Sequence, residues 1–508
     1  MKHVYLFILL VAGAFSSYSV TRFVTPAGNG SMNGSSWLNA FPSTSLQIAI
    51  NLSGSGDEVW VATGIYYTTS SATRSISFSM KNNVSIYGSF VGTETSITQR
   101  NLTAGLSSTL SGGIGTVGIG DNSYHVISNS NLNNTAVIDG FIIRDGNDDR
   151  SATSNDFGLG GGIYNGGSGT GNVCSPTIRN CVITNNQAVF GAGIFNNGYL
   201  SGTSNPIILN CVITTNTATT GGGGIDNFGV AGNASPIITN CVIYNNTAAF
   251  RAGAMYCWGG NNGNASPVVL NTCFVNNTAV DGGAIVCDRL NTSAGSSGTA
   301  TPNFRNCIFW GNTASGTGPQ FLILANAAFV ATYTDIDMTG QTSPHIMSGP
   351  GTATINSNPG FSSIVNGAGP DNKWLTYDDG LQLIFPSPCM NSGDNTSVTS
   401  TDILNNPRIT FSVVDMGPYE NMLIVSLQKN ASTNDDIILY PNPTKDHLYF
   451  SGIKNNEGKI KLINSLGEVV LETNLSEQID LKEIPKGVYF IIIENEGKNL
   501  TKKLVLAD

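Results

Sequence analysis

From residue 176 to residue 314 the chain repeats one pattern of apolar and polar positions. PTIRNCVITNNQA begins at Pro176, PIILNCVITTNTA at Pro206, PIITNCVIYNNTA at Pro236, PVVLNTCFVNNTA at Pro267 and PNFRNCIFWGNTA at Pro302. Successive prolines stand 30, 30, 31 and 35 residues apart. A second phrase recurs between them: GGIYN at 161–165, AGIFN at 192–196, GGIDN at 223–227, AGAMY at 252–256 and GGAIV at 282–286. The apolar runs are too short and too interrupted for helical repeats. They are rich in β-branched residues and bounded by Gly and Asn, which at this period indicates a solenoid of stacked rungs. Each rung reads as three short strands: the Gly-Ile, the Pro-Ile and the Cys-Val-Ile phrase. Coiled together they predict a right-handed parallel β-helix, with neighbouring rungs roughly 4.8 Å apart.

The repeat gives its polar positions a physical role. Asn180, Asn210, Asn240, Asn271 and Asn306 fill one column. A turn residue in a left-handed conformation is tolerated best by Gly and Asn, and stacked amides can bond from rung to rung. Alternation from that turn points Cys181, Cys211, Cys241 and Cys307 inward, where they pack as small hydrophobes. Thr272 takes the Cys place in the fourth rung, with Cys273 displaced by one. Cys257 and Cys287 fall at equivalent places on adjacent rungs, about one strand spacing apart. That is within disulfide reach and leaves a bridge and two stacked free thiols as alternatives.

Composition narrows the function classes. Of 508 residues 60 are Gly, 40% are hydrophobic and only 11% are charged, with a net charge of −10. A folded chain this acidic lacks the basic face that nucleic acids require. Residues 1–19, MKHVYLFILLVAGAFSSYS, carry a Lys, an apolar run and then small polar residues. They predict a secretory signal cleaved after Ser17 or Ser19, because the run is too short to span a bilayer. No transmembrane segment is expected in the mature chain. Nine cysteines in an exported chain permit disulfides without requiring them.

An exposed solenoid end needs a cap. The segment from Arg22, RFVTPAGNGSMNGSSWLNAFPSTSLQIAINLSGSGDEVWVATGIYYTT, predicts a short helix over Ser43–Leu52 and a first strand over Glu58–Val61. This opening resembles the large surface or secreted bacterial β-helix proteins of the pectin-lyase-like superfamily. The resemblance continues through VIDGFIIRDG at 137–146, NPGF at 358–361, SPCMNSGDN at 387–395 and VVDMGPYE at 413–420. It implies the β-helix fold over about residues 22–420, in a group with no single activity.

Charge density then changes. Residues 20–428 contain 12 basic and 21 acidic side chains, whereas the 74 residues 435–508 contain 9 and 12. The shift marks a β-helix domain with its N-terminal cap at 20–422, a linker at 423–434 and a second domain at 435–508. The second domain reads as seven or so short strands in a small immunoglobulin-like β-sandwich, so the whole chain is predicted to be all-β. Its Tyr440-Pro441-Asn442-Pro443, the Gly467 turn, Gly487-Val488-Tyr489 and Lys503-Leu504-Val505 closely resemble the type A C-terminal sorting domain of the Bacteroidetes type IX secretion system. On that resemblance Pro441, Asn442, Pro443, Gly487, Tyr489 and Lys503 carry the sorting signal. It implies periplasmic transit, recognition by the outer-membrane translocon and its sorting machinery, and removal of the tail. The protein would then be released or attached to the outer face of the outer membrane. The alternative for the tail is a carbohydrate-binding sandwich.

Candidate chemistry is sparse. There are four His, of which His125 and His345 lie in the β-helix, too few to suggest a Ser-His-Asp triad or a His-rich metal site. The polygalacturonase motifs of the superfamily are absent. The densest acidic group is RDGNDDR, Arg144 to Arg150, whose Asp145, Asp148 and Asp149 could bind Ca²⁺ or a sugar; otherwise it is a solvated loop of local ion pairs. No other cofactor is implied. The outward column of the Gly-Ile strand is expected to carry Tyr164, Phe195, Asp226, Met255 and Ile285, with Trp258 nearby. Aromatic rings at regular spacing can stack on sugars and an Asp can accept hydroxyl hydrogen bonds, unless a loop covers the column as a second core. The expectation is therefore an exported, monomeric interaction protein that binds polysaccharide or cell surfaces, leaning away from an enzyme. The rivals are a polysaccharide lyase or glycoside hydrolase acting in the β-helix groove, and a structural surface-layer component.

Overall fold

The computed structural model describes residues 19–115, 118–151, 158–289, 297–324, 327–341, 346–348, 353–421, 437–451, 458–464, 467–495 and 498–507. The signal up to residue 18, the linker 423–434 and His345 lie outside them. The chain divides into two units, one ending at Asn421 and one beginning at Met422.

The first unit is a parallel β-solenoid whose strands pair only with the equivalent strands one rung away. The Pro-Ile phrases form an 11-stranded sheet, the Cys-Val-Ile phrases a 9-stranded sheet and the Gly-Ile phrases a 7-stranded sheet. A fourth, 6-stranded sheet adds to the three expected: it runs through Asn147–Asp148, Gln187–Phe190, Thr217–Gly221, Thr247–Ala248, Thr278–Ala279 and Thr313–Ala314, so the RDGNDDR stretch expected as a loop contributes a strand. These stretches are short and half polar, with only Ala188, Ala218, Ala248 and Ala279 forming an inner column. Their hydrophobic signal is therefore weak.

The turn asparagines have the left-handed backbone expected of them, with φ of 51°, 52°, 50°, 46° and 55° at Asn180, Asn210, Asn240, Asn271 and Asn306. The inward Cys181, Cys211, Cys241 and Cys307 and inward Ile183, Ile213, Ile243 and Phe309 have no exposed surface. Burying each Ile side chain contributes about 2 kcal/mol. Cys273, displaced by one residue, lies on the opposite face of its strand and packs in a different core from Cys307.

At the N-terminal end, the helix Leu46–Leu52 follows a 3-10 turn at Ser43–Ser45 and buries Leu46, Ala49 and Ile50 against the first rungs. The strand Glu58–Ala62 is preceded by another, Thr21–Val24, paired with it in parallel. At the other end, residues 353–421 run through turns across the outer face of the Cys-Val-Ile sheet. There Leu375, Leu381, Leu383, Cys389, Ile403, Leu404, Met416 and Tyr419 pack on Val182, Val212, Val242, Cys273 and Ile308. This cover makes a second core outside the solenoid.

Among its described residues the second unit has seven strands in two antiparallel sheets of three and four strands, consistent with the small sandwich expected. Its core includes Leu448, Phe450, Ile460, Leu462, Ile479, Ile491, Ile493 and Leu504.

Candidate functional site

The outer face of the Gly-Ile sheet carries the column singled out above, with one correction of register. Tyr164 pairs with Phe195, Phe195 with Asp226, Asp226 with Tyr256, and Tyr256 with Val286. Met255 and Ile285 therefore point inward, fully buried, and Tyr256 and Val286 take the outward places assigned to them. The phrase AGAMY aligns with GGGID rather than GGIDN, because Ala254 stands where Gly224 does. A one-residue slip moves every side chain of a strand to its other face.

Two residues further along lies a second outward column: Gly166, Asn197, Phe228, Trp258 and Asp288. Together the columns make a continuous strip of ring contacts. His125 stacks on Tyr164 with centroids 5.3 Å apart, and Tyr164 on Phe195 at 6.2 Å. Phe195 meets Phe228 at 6.2 Å, and Phe228 meets Trp258 edge-on at 5.2 Å. Tyr199 packs beside Phe228 at 5.3 Å and Tyr256 stacks on Trp258 at 5.6 Å. Phe195 and Tyr256 are buried, whereas Tyr164, Tyr199, Phe228 and Trp258 keep part of their surface in solvent. Asn197 donates to the Tyr164 hydroxyl at 3.0 Å and fixes that ring.

Asp226 sits in the middle of the strip but is sealed from solvent at 1% exposure. Gly191 and Gly222, both at positive φ, pass so close that an added Cβ would lie 3.0 and 2.9 Å from the Asp226 Cβ. Among the described residues neither carboxyl oxygen has a hydrogen-bond partner, and loss of solvent pushes the group well above the usual carboxylate range. Burial thus favours the protonated, neutral form of Asp226. A general acid must come within hydrogen-bond reach of its substrate, and the two glycine turns block that approach here.

The acidic loop adjoins the same strip through His125. Asp148 is fully buried and accepts from Arg150 Nε at 2.6 Å and Nη2 at 2.7 Å and from the Leu159 N–H at 2.9 Å. His125 Nε2 lies 3.9 Å from it. Burial lowers the imidazole pKa, against the opposing pull of Asp148. Asp149 pairs with Arg74 at 2.8 Å, and Asp145 with Arg144 at 3.3 Å while accepting from Ser111 Oγ at 2.9 Å. The three carboxylates each serve a different cation. Among the described residues no three His, Cys, Asp or Glu side chains converge as a metal site.

Cys257 and Cys287 are register neighbours, and both thiols are free. Their column explains them: they continue an inward ladder in which Asn129 donates to Asn165, Asn165 to Asn196 and Asn196 to Asn227, at 3.0, 3.0 and 2.9 Å. Asn227 closes the run on Cys257 Sγ at 3.8 Å. Burial holds both thiols far above the usual range, which makes them inert packing groups.

In the second unit, Asn442 holds the last strand: its amide donates to Lys503 O at 2.7 Å and its oxygen accepts from the Val505 N–H at 2.9 Å. Pro441 and Pro443 flank it, both after cis bonds. Tyr489, near Gly487 at the head of Gly487–Asn495, is buried and donates to Pro485 O at 2.6 Å. Lys503 is exposed. The expected motif residues thus meet where the first and last parts of the sandwich join. Residues 438–507 match the family of secretion system C-terminal sorting domains. The tail is a type IX sorting domain. It directs export to the cell surface or the extracellular space. The chain matches no curated protein. Among the described residues no helix is long and apolar enough to cross a membrane.

Proposed function

We propose that the exported solenoid binds polysaccharide, with the half-exposed ring strip Tyr164–Tyr199–Phe228–Trp258 as its contact surface. The observation that carries this reading is the continuity of ring contacts across four rungs, on one face, with Tyr164, Tyr199, Phe228 and Trp258 each part-exposed and joined through the buried Phe195. Aromatic rings present apolar surface at low entropic cost, and their faces and edges suit the C–H faces of sugar rings. The rungs repeat at a fixed spacing, so the surface is linear, as an extended glycan is. Attachment to a surface or release from it is then the work of the sorting domain, and recognition that of the solenoid.

The test is affinity electrophoresis of the full exported chain through gels containing a panel of neutral and acidic polysaccharides. Retardation by at least one polymer is expected, and Tyr199→Ala with Trp258→Ala should weaken it about tenfold, equivalent to ~1.4 kcal/mol. Release of new oligosaccharides, seen by mass spectrometry, would replace the binding reading with a lyase or hydrolase. Migration unaffected by every polymer would remove the glycan reading.

A further inference from the structure

A second site lies on a different sheet. Between the cover and the outer face of the Cys-Val-Ile sheet is a groove of about 260 Å³, lined by Leu106, Ile142, Val182, Thr184, Thr214, Thr215 and Asn372 to Trp374. We propose that this groove binds a single sugar residue bearing one anionic group, a carboxylate or a sulfate ester. The volume lies just below the ~300–1,000 Å³ of drug-sized pockets, which suits one residue rather than a long chain.

Four features fit that ligand. Trp374 forms an aromatic wall, half-exposed, and is held edge-on against Tyr244 with centroids 5.4 Å apart. The next residue, Leu375, has a left-handed backbone (φ 65°) and donates its N–H to Asp379 Oδ2 at 3.1 Å, so the wall is fixed in place. Lys373 is exposed at the rim, and its ammonium makes no ion pair with the described residues. Of the acids beside it, Asp371 accepts the Lys373 backbone N–H at 2.8 Å, and Asp378, which feels the ammonium's charge, is occupied by Thr376 Oγ1 at 2.7 Å and the Asp371 N–H at 3.1 Å.

The floor carries three hydroxyls in a chain. Thr184 and Thr215 are 3.4 Å apart between oxygens, and Thr214 and Thr215 3.2 Å. Each can rotate to donate or accept, as sugar hydroxyls demand. Thr215 is the unexpected one. It has φ 57° where the neighbouring rungs place Asn185, Asn245 and Asn276 at 54°, 55° and 55°. A β-branched residue in that conformation is a genuine outlier, and such outliers persist where function keeps them. Here the substitution adds the central hydroxyl of the triad.

The site stands on residues separate from the aromatic strip, so the two readings can fail separately. Calorimetric titration of the full exported chain would use three probes: an oligogalacturonate, a sulfated chondroitin oligosaccharide and a neutral cello-oligosaccharide. At least one anionic probe should bind, and the two anionic arms separate carboxylate from sulfate recognition. Lys373→Gln should weaken that binding about tenfold, in line with loss of a charge-assisted contact, with the melting temperature unchanged. Thr215→Asn should weaken it while raising the melting temperature, because Asn suits the left-handed turn. Trp258→Ala should leave it intact. The proposal is overturned if neither anionic probe binds, if the neutral probe binds as tightly, or if Lys373→Gln or Thr215→Asn leaves anionic affinity unchanged.

Discussion

The solenoid interior and the cover of residues 353–421 both bury polar groups, but they satisfy them in opposite ways. In the solenoid whole columns of buried amides bond to their own copies. Asn186, Asn216, Asn246, Asn277 and Asn312 donate in turn from one to the next at 2.9–3.0 Å, and Gln320 ends the run at 2.7 Å. Each also donates to a carbonyl one rung back, as Asn246 does to Ile213 O at 2.8 Å. In the cover nothing repeats. Arg408, 1% exposed, donates to the carbonyls of Pro418 at 3.0 Å, Asp415 at 3.0 Å and Gly417 at 2.5 Å. Asp402 and Asp415 lie beside it as sources of compensating negative charge. Repetition makes a buried polar residue inexpensive, because one favourable geometry serves every rung. An irregular segment needs a dedicated partner for each group.

The largest break in that comparison should come from Arg408→Met. It leaves buried carboxylates without their cation, at a cost of about 4 kcal/mol. Limited proteolysis should then cut within 353–421 while the rungs 163–288 stay protected. Asn246→Ala should cost about 3 kcal/mol, because it strands the Asn216 amide and loses the bond to Ile213 O. Its damage should spread along neighbouring rungs in hydrogen exchange, whereas damage from Arg408→Met should stay local.

The pH response separates the regions next. Burial raises the carboxyl groups of Asp335 to about 6, Asp379 to about 7 and Glu420 to about 8. A raised folded-state value means that stability is fully present below the ordinary carboxyl range and is lost as pH rises through those values. Anchoring of the cover should therefore weaken by about 2 kcal/mol between pH 5 and pH 8. Amide exchange at 375–420, corrected for intrinsic rates, measures it; exchange independent of pH would contradict the assignment. The smallest effect is expected at Asp226. Its raised value gives the same sign, so Asp226→Asn should stabilise the chain by about 1 kcal/mol at pH 8 and by nothing at pH 3. Thermal melts at the two pH values would show it.

The same contrast explains what could be read from the sequence. The turn column from Asn180 to Asn306, the inward cysteines and the rung length are legible because five copies of one phrase can be laid on one another. The second ladder, from Asn186 to Asn312, is equally legible as an uninterrupted Asn column five residues after the Cys place. The Tyr256 register was misread because one Ala replaces a Gly in a phrase defined by its glycines. The acids of the 144–150 stretch are legible together with two of their cations, Arg144 and Arg150; the third, Arg74, lies far away in sequence. The cover left no periodic trace at all. Trp374 and the groove above Thr215 depend on packing between segments well over 100 residues apart, and the partners of Arg408, though only 7–10 residues away, follow no repeat, so no local pattern records them.

The most direct test of the glycan-binding strip is hydroxyl-radical footprinting of the full chain with its sorting domain still attached, with and without a polysaccharide that retards it in the gel. The expected result is reduced oxidation of Tyr164, Tyr199, Phe228 and Trp258, with the exposed Tyr440 and Tyr449 of the sorting domain unchanged. Oxidation of the four rings that stays the same with polymer bound, or protection confined to the tail tyrosines, would contradict it.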